Sequence, residues 1–173
     1  MRSLVSLTAI ALLASLPAFA QKIDNADAAA MKQLAQDNLN EIAAAKSAAS
    51  RAQSPEVKSY ASRMAQDHEQ MLQELRALAR AKDVSLPDSA SMKDMAQMKM
   101  AERKSGAEFD KHYMEQMVKD HQNALQEAQN VASKAKDSEL KSAVQKAQSK
   151  VREHLELAQQ IAGRTSAAGA TSK

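Results

Sequence analysis

Apolar residues recur along this chain at intervals of three and four, in long segments separated by short polar or proline-marked breaks. Between Pro55 and Lys82 the apolar positions are Val57, Tyr60, Ala61, Met64, Met71, Leu75, Leu78 and Ala79, with His68 among them. A later segment carries Leu140, Val144, Ala147, Val151, Leu155, Ala158 and Ile161. Two others follow the same rule, with Leu34, Asn38, Ile42, Ala45 and Ala49, and with Phe109, Tyr113, Met117, Ala124, Ala128 and Val131. This is the period of helices that each bury one face. Capping residues set their ends. Asp24 and Asn25 can start a helix to about Ser50, and Ser54-Pro55-Glu56 a second to about Lys82. Ser105 and Glu108 have capping-box spacing, which predicts a third from about Gly106 to Lys134. Asp137 can cap a fourth, and Gly163 is the expected stop.

Four amphipathic helices of this length predict an all-α four-helix bundle. Short turns join the first helix to the second and the third to the fourth, whereas Asp83 to Lys104 is long enough to run the length of the bundle. That long crossover between the second and third helices is ferritin-like connectivity, with room for a short helix within Ser89 to Arg103. The bundle is expected over 24–163. The tail RTSAAGATSK, 164–173, is small and polar and expected to be disordered.

Composition supports helix, since Gly and Pro number three each and Ala, Lys, Glu, Gln, Leu and Met dominate. The first twenty residues are set apart from the fold. Arg2, the apolar run Leu4 to Leu16 and Ala18-Phe19-Ala20 have the three parts of a secretory signal, which predicts cleavage near Ala20 and a periplasmic or secreted product. Without Arg2 the chain has 23 basic against 21 acidic residues, a net +2 too dispersed to suggest nucleic acid. No later stretch is apolar for the roughly 20 residues a membrane span needs. There is no cysteine, so neither a disulfide nor a CxxC motif is available.

The candidate chemistry lies in a repeated pattern. Tyr60 to His68 reads YASRMAQDH and Tyr113 to His121 reads YMEQMVKDH, two copies of Tyr-x-x-x-Met-x-x-Asp-His offset by 53 positions. At 100° per residue His68 falls within the second helix's stripe, and His154 within the fourth's. His121 and Asp120 flank the third helix's seam, Glu41 lies at the margin of the first stripe, and His112 points away. Glu41 is about 12 residues from the first turn and His68 about 15, while His121 and His154 are about 16 and 17 from the second. All four reach mid-length, so one acid and three histidines from four helices can meet in one layer. Neutral imidazole is the commonest metal ligand, and bundle interiors build such sites. Glu41, His68, His121 and His154 are therefore the candidate metal ligands, with Asp67 and Asp120 as further ligands or as acceptors that fix the histidine tautomers. The competing explanation is a metal-free core in which each histidine finds hydrogen bonds. Met92, Met95, Met98 and Met100 in the crossover have thioether spacing that suits Cu(I), and equally the spacing of an amphipathic connector.

Taken together, the Met-x-x-Asp-His of the second helix, Phe109-Asp110-x-x-Tyr113-x-x-x-Met117-Val118-x-Asp120-His121, the turn Ser54-Pro55-Glu56-Val57-Lys58 and the late His154 resemble the bacterial family called domain of unknown function 4142. The resemblance covers about Asn25 to Ala162 and implies an exported, ferritin-like protein without an agreed activity. One departure from ferritins is plain: no Glu-x-x-His occurs in the chain, which argues against a carboxylate-bridged di-iron centre. A histidine-richer mononuclear site for zinc, copper or iron is the expectation, in a protein of metal handling or envelope stress. A metal-free structural or interaction bundle is the alternative, and a ferritin-like redox enzyme the third. No nucleophile triad or glycine-rich phosphate loop supports another enzyme class.

Overall fold

The structure, a computed structural model, describes residues 23–171, with side chains as far as Thr165. The expected leader, 1–20, lies outside the described residues. The described chain is an all-helical bundle of five helices: α1 (Asn25–Arg51), α2 (Pro55–Ala81), α3 (Met92–Ala101), α4 (Gly106–Lys134) and α5 (Ser138–Thr171). Three of the four expected long-helix starts use the predicted side chain. Asp24 Oδ1 accepts from Ala26 N at 2.9 Å, Ser54 Oγ from Val57 N at 3.5 Å ahead of Pro55, and Asp137 Oδ1 from Glu139 and Leu140 N at 3.0 and 2.9 Å.

Two expectations about ends fail. Helix α4 starts at Gly106, but Ser105 makes no side-chain cap bond, so the Ser105–Glu108 capping box does not form. Gly106 is left-handed at φ 59°, which redirects the chain between cap and first turn, and Glu108 instead pairs with Lys104 Nζ at 2.5 Å. Nor does Gly163 stop α5, whose backbone stays helical to Thr171, through residues expected to form a disordered tail. Gly163 does not take the left-handed conformation of a helix stop, and a run rich in Ala continues the helix at little cost.

Helices α1 and α2 pack along one another, as do α4 and α5, and the two pairs join chiefly through α2 against α5. Contact between α1 and α4 is slight, and α3 lies across that side, touching both. The α1 face turns accordingly. Its fully buried residues are Met31, Ala35, Ala45 and Ala48, while Leu34, Ile42 and Ala49 of the expected stripe are only half-buried.

Buried acids tie the two pairs together in matching ways. Asp110 of α4 accepts from Gln53 N (3.0 Å) and Ser54 N (2.7 Å) in the α1–α2 turn, and Asp27 of α1 accepts from Lys136 N (3.0 Å) and Asp137 N (2.7 Å) in the α4–α5 turn. Asp27 and Asp110 are 83 positions apart, as are Ser54 and Asp137. The structural halves therefore repeat at 83, whereas the Tyr-to-His pattern at 53 relates α2 to α4 and belongs to what those helices share at the centre.

Candidate metal centre

The apolar core is in two parts. One gathers Ala45, Ala48, Val57, Met64, Phe109, Met117, Ala158 and neighbours; the other gathers Met31, Ala35, Leu72, Leu75, Ala128, Leu140 and Val144. In every long helix the two parts are separated by a mid-length gap, and the polar residues fill it: Asn38 and Glu41 on α1, His68 on α2, His121 on α4 and His154 on α5.

His68, His121 and His154 are 6%, 2% and 0% exposed, too deep for bulk water to satisfy their rings. One ligand-capable nitrogen from each lies within 4.8 Å of those of the other two. The ring centroids are 5.8 Å apart for His68 and His121, and 5.5 Å for each ring with His154. Each ring has one nitrogen engaged. His68 Nδ1 is 3.0 Å from Asn38 Oδ1, His121 Nδ1 is 2.9 Å from the Met117 carbonyl and His154 Nε2 is 2.8 Å from Asp67 Oδ2. All three partners are acceptors, so the engaged nitrogen carries the proton and the other is left with its lone pair. Those others, His68 Nε2, His121 Nε2 and His154 Nδ1, are buried and have no hydrogen-bond partner.

Burial keeps these rings neutral. It pushes His68 well below the usual imidazole range, helped by His121 and His154, and brings His121 down to about 4. His154 is lowered by burial against the opposing pull of Asp67. A lone pair buried without a partner costs about 1–3 kcal/mol. Three at one place, with tautomers fixed from behind by an amide, a carbonyl and a carboxylate, are ready to ligate a cation. Tetrahedral zinc at about 2.0–2.1 Å from nitrogen would bring such atoms to ~3.3 Å from one another, a modest contraction of this group.

The other sequence-predicted residues are distributed around this centre. Asp67 touches His154, and Arg63 and Lys150 lie on its outer side at 3.4 and 3.9 Å. Asp120 instead accepts twice from Gln116, at 2.8 and 2.9 Å, and faces a cavity between α1, α3 and α4. Glu41 stands outside the three-histidine group; its Oε2 is buried without a partner, and burial with Asp120, Asp37 and Asp94 nearby pushes it up to about 8. Tyr60 and Tyr113 meet edge to face at 6.3 Å, and Tyr113 Oη has no partner. Met95, Met98 and Met100 line the cavity, whereas Met92 is 82% exposed and does not. His112, expected to point away, is half-buried at the cavity wall. Sequence reasoning assigned no role to Asn38, although an amide inside an apolar stripe was the available signal.

Fold and centre together define the chain as a helical bundle whose core is interrupted by a buried three-histidine layer. The family model of the domain of unknown function (DUF4142) matches residues 13–161, and the chain belongs to that family. No curated protein and no solved structure matches it. Among the described residues, no helix is long and apolar enough to cross a membrane.

Proposed function

We propose that this is an exported, ferritin-like four-helix bundle that holds one metal ion between His68, His121 and His154, and that it serves metal handling or stress protection in the cell envelope. One observation carries the metal reading: three buried imidazoles converge, each with one nitrogen pinned and the other unpartnered. A metal-free core leaves those three lone pairs unsatisfied. Imidazole suits zinc, copper and iron, and Glu41, with its unpartnered Oε2, is the candidate fourth ligand. A thioether contribution to copper would come from Met95, Met98 and Met100 rather than Met92. Support for the ferritin-like arrangement is the pairing of α1 with α2 and α4 with α5, with a long connection carrying α3 between the pairs. Support for export is the leader-like sequence of residues 1–20.

Elemental analysis of the untagged protein, purified from the periplasmic fraction and sequenced from its N-terminus, tests the proposal. The expected result is a chain starting near Gln21 with about one zinc, copper or iron per molecule. Metal at the same level in His68→Ala/His121→Ala protein would place it elsewhere, and uncleaved protein in the cytoplasm would remove the export reading.

A further inference from the structure

Beneath α3 lies a cavity of about 680 Å³, walled by α1, α3 and α4. Six carboxylates line it: Asp37 and Glu41 from α1, Asp94 from α3, Glu102 at the C-cap of α3, and Asp120 and Glu127 from α4. Many acids elsewhere are matched with lysine or arginine, as in Lys46–Glu69, Lys82–Asp137, Lys146–Glu74 and Arg164–Glu56. None of the six takes part in an ion pair among the described residues. Their hydrogen-bond donors are neutral: Gln33 for Asp37 at 2.9 Å, Asn40 for Asp94 at 2.9 Å, Gln116 for Asp120. Of the two lysines at the rim, Lys104 is taken by Glu108, and Lys119 reaches no carboxylate within ion-pair distance.

A second observation points to a ligand. Tyr113 is 6% exposed, lines this cavity and keeps a hydroxyl with no partner, as does the buried Glu41 Oε2 beside it. A buried hydroxyl without a partner is rare in a folded protein unless something else fills the place.

The spacing of the charges selects the class. These acids form no group of three with ligand atoms within reach of one ion; the histidines alone do so among the described residues. Asp37 and Glu41 are one turn apart, about 6 Å along α1, and Asp120 and Glu127 two turns apart, about 10 Å along α4. Between them the walls are apolar, with Met95, Met98, Met117 and Ala124. Separated negative charges joined by hydrocarbon surface match separated ammonium groups joined by methylenes. The volume is that of a small-molecule site rather than an ion site.

We propose that this cavity binds an aliphatic polyamine, with its ammonium groups on Asp37 and the α4 carboxylates, an N–H on the unpartnered Tyr113 hydroxyl and Glu41 Oε2, and its methylenes against the α3 methionines. Helix α3 has no buried residue, and hydrogen bonds tie it and its flanks to α1: Asn40 Nδ2 to Asp94 Oδ2 at 2.9 Å, Gln36 Nε2 to Ser89 O at 3.0 Å and Ser47 Oγ to Glu102 Oε1 at 2.6 Å. It can therefore lift to admit a ligand without opening the apolar core. The site shares Glu41 with the proposed metal centre but none of its three histidines.

Calorimetric titration with spermidine and with 1,4-diaminobutane, at fixed ionic strength and against magnesium chloride as the inorganic cation, tests it. One saturable spermidine site is expected, with magnesium competing at least tenfold more weakly. Asp37→Asn/Glu127→Gln should weaken spermidine at least tenfold, while His68→Ala should leave it within twofold and so separate this site from the metal centre. Hydrogen exchange on the wild-type protein supplies a readout that does not depend on a variant folding. Spermidine should slow exchange in residues 92–101. Unsaturable binding, equal competition by magnesium, an unaffected double variant or unchanged exchange in α3 would each overturn the proposal.

Discussion

His121 and Glu41 respond to pH in opposite directions. His121 has a folded pKa of about 4 against an ordinary 6.5. Between these values the unfolded chain binds the proton that the folded one refuses, so stability falls as pH drops from about 6.5 and this contribution is gone below about 4. The loss is on the order of 3 kcal/mol for this one ring. Glu41 does the reverse. Its folded pKa of about 8 exceeds the ordinary 4.5, so above 4.5 the unfolded chain gives up a proton the folded one keeps, and stability declines as pH rises to 8. Between about 4.5 and 6.5 the two oppose one another, and from about 6.5 to 8 the Glu41 decline stands alone. In urea unfolding of metal-stripped protein, His121→Gln should make stability fall more steeply with rising pH between 4.5 and 6.5, and Glu41→Gln should remove the decline from 6.5 to 8. An unchanged slope between 4.5 and 6.5 in His121→Gln would show that the ring is already charged when folded.

At the scale of the elements, Asp27 and Asp110 fix how the two helix pairs meet. Each supplies one carboxylate to two backbone N–H groups of the opposite pair's turn, and each is itself buried at 4% and 3% exposure. Truncation leaves both donors unpaired at about 1–3 kcal/mol each. Asp27→Ala and Asp110→Ala should therefore each cost about 2–6 kcal/mol and agree with one another within ~1.5, as measured by chemical denaturation. A large cost for one and none for the other would break the two-half description. These clasps were not legible in the sequence. Asp27 reads there as an ordinary first-turn acid, and its partners are 109 and 110 positions away, beyond any local pattern. Helix starts were legible wherever a cap acts on its own helix, as at Asp24, Ser54 and Asp137. The prediction failed where a neighbouring backbone conformation or a permissive composition overrode the local signal, at Ser105 and Gly163.

For the molecule as a whole, the histidine layer divides a small core and replaces apolar contact at its centre with imidazoles that each keep one nitrogen unpartnered. The heights of His68, His121 and His154 could be counted from the turns because long straight helices convert residue number into distance at a constant rise. Which nitrogen of each ring is left free could not, because it depends on a carbonyl, an amide and a carboxylate placed by three different helices. That arrangement makes the fold itself the measure of metal binding. A ligand held only by the folded state stabilises it by about 2.7 kcal/mol at a hundredfold excess over its dissociation constant. In a domain of about 150 residues this raises the melting temperature by roughly 5–11 °C. Zinc added to stripped wild-type protein should give such a shift, and His68→Ala/His121→Ala should lose it. Asp67→Ala should keep part of the shift at saturating zinc but need about 10–100 times more metal to reach it, since it frees only the ring orientation of His154. If the double histidine variant and the wild-type protein shift equally, the stabilising ion sits elsewhere and the central layer is a strained polar core.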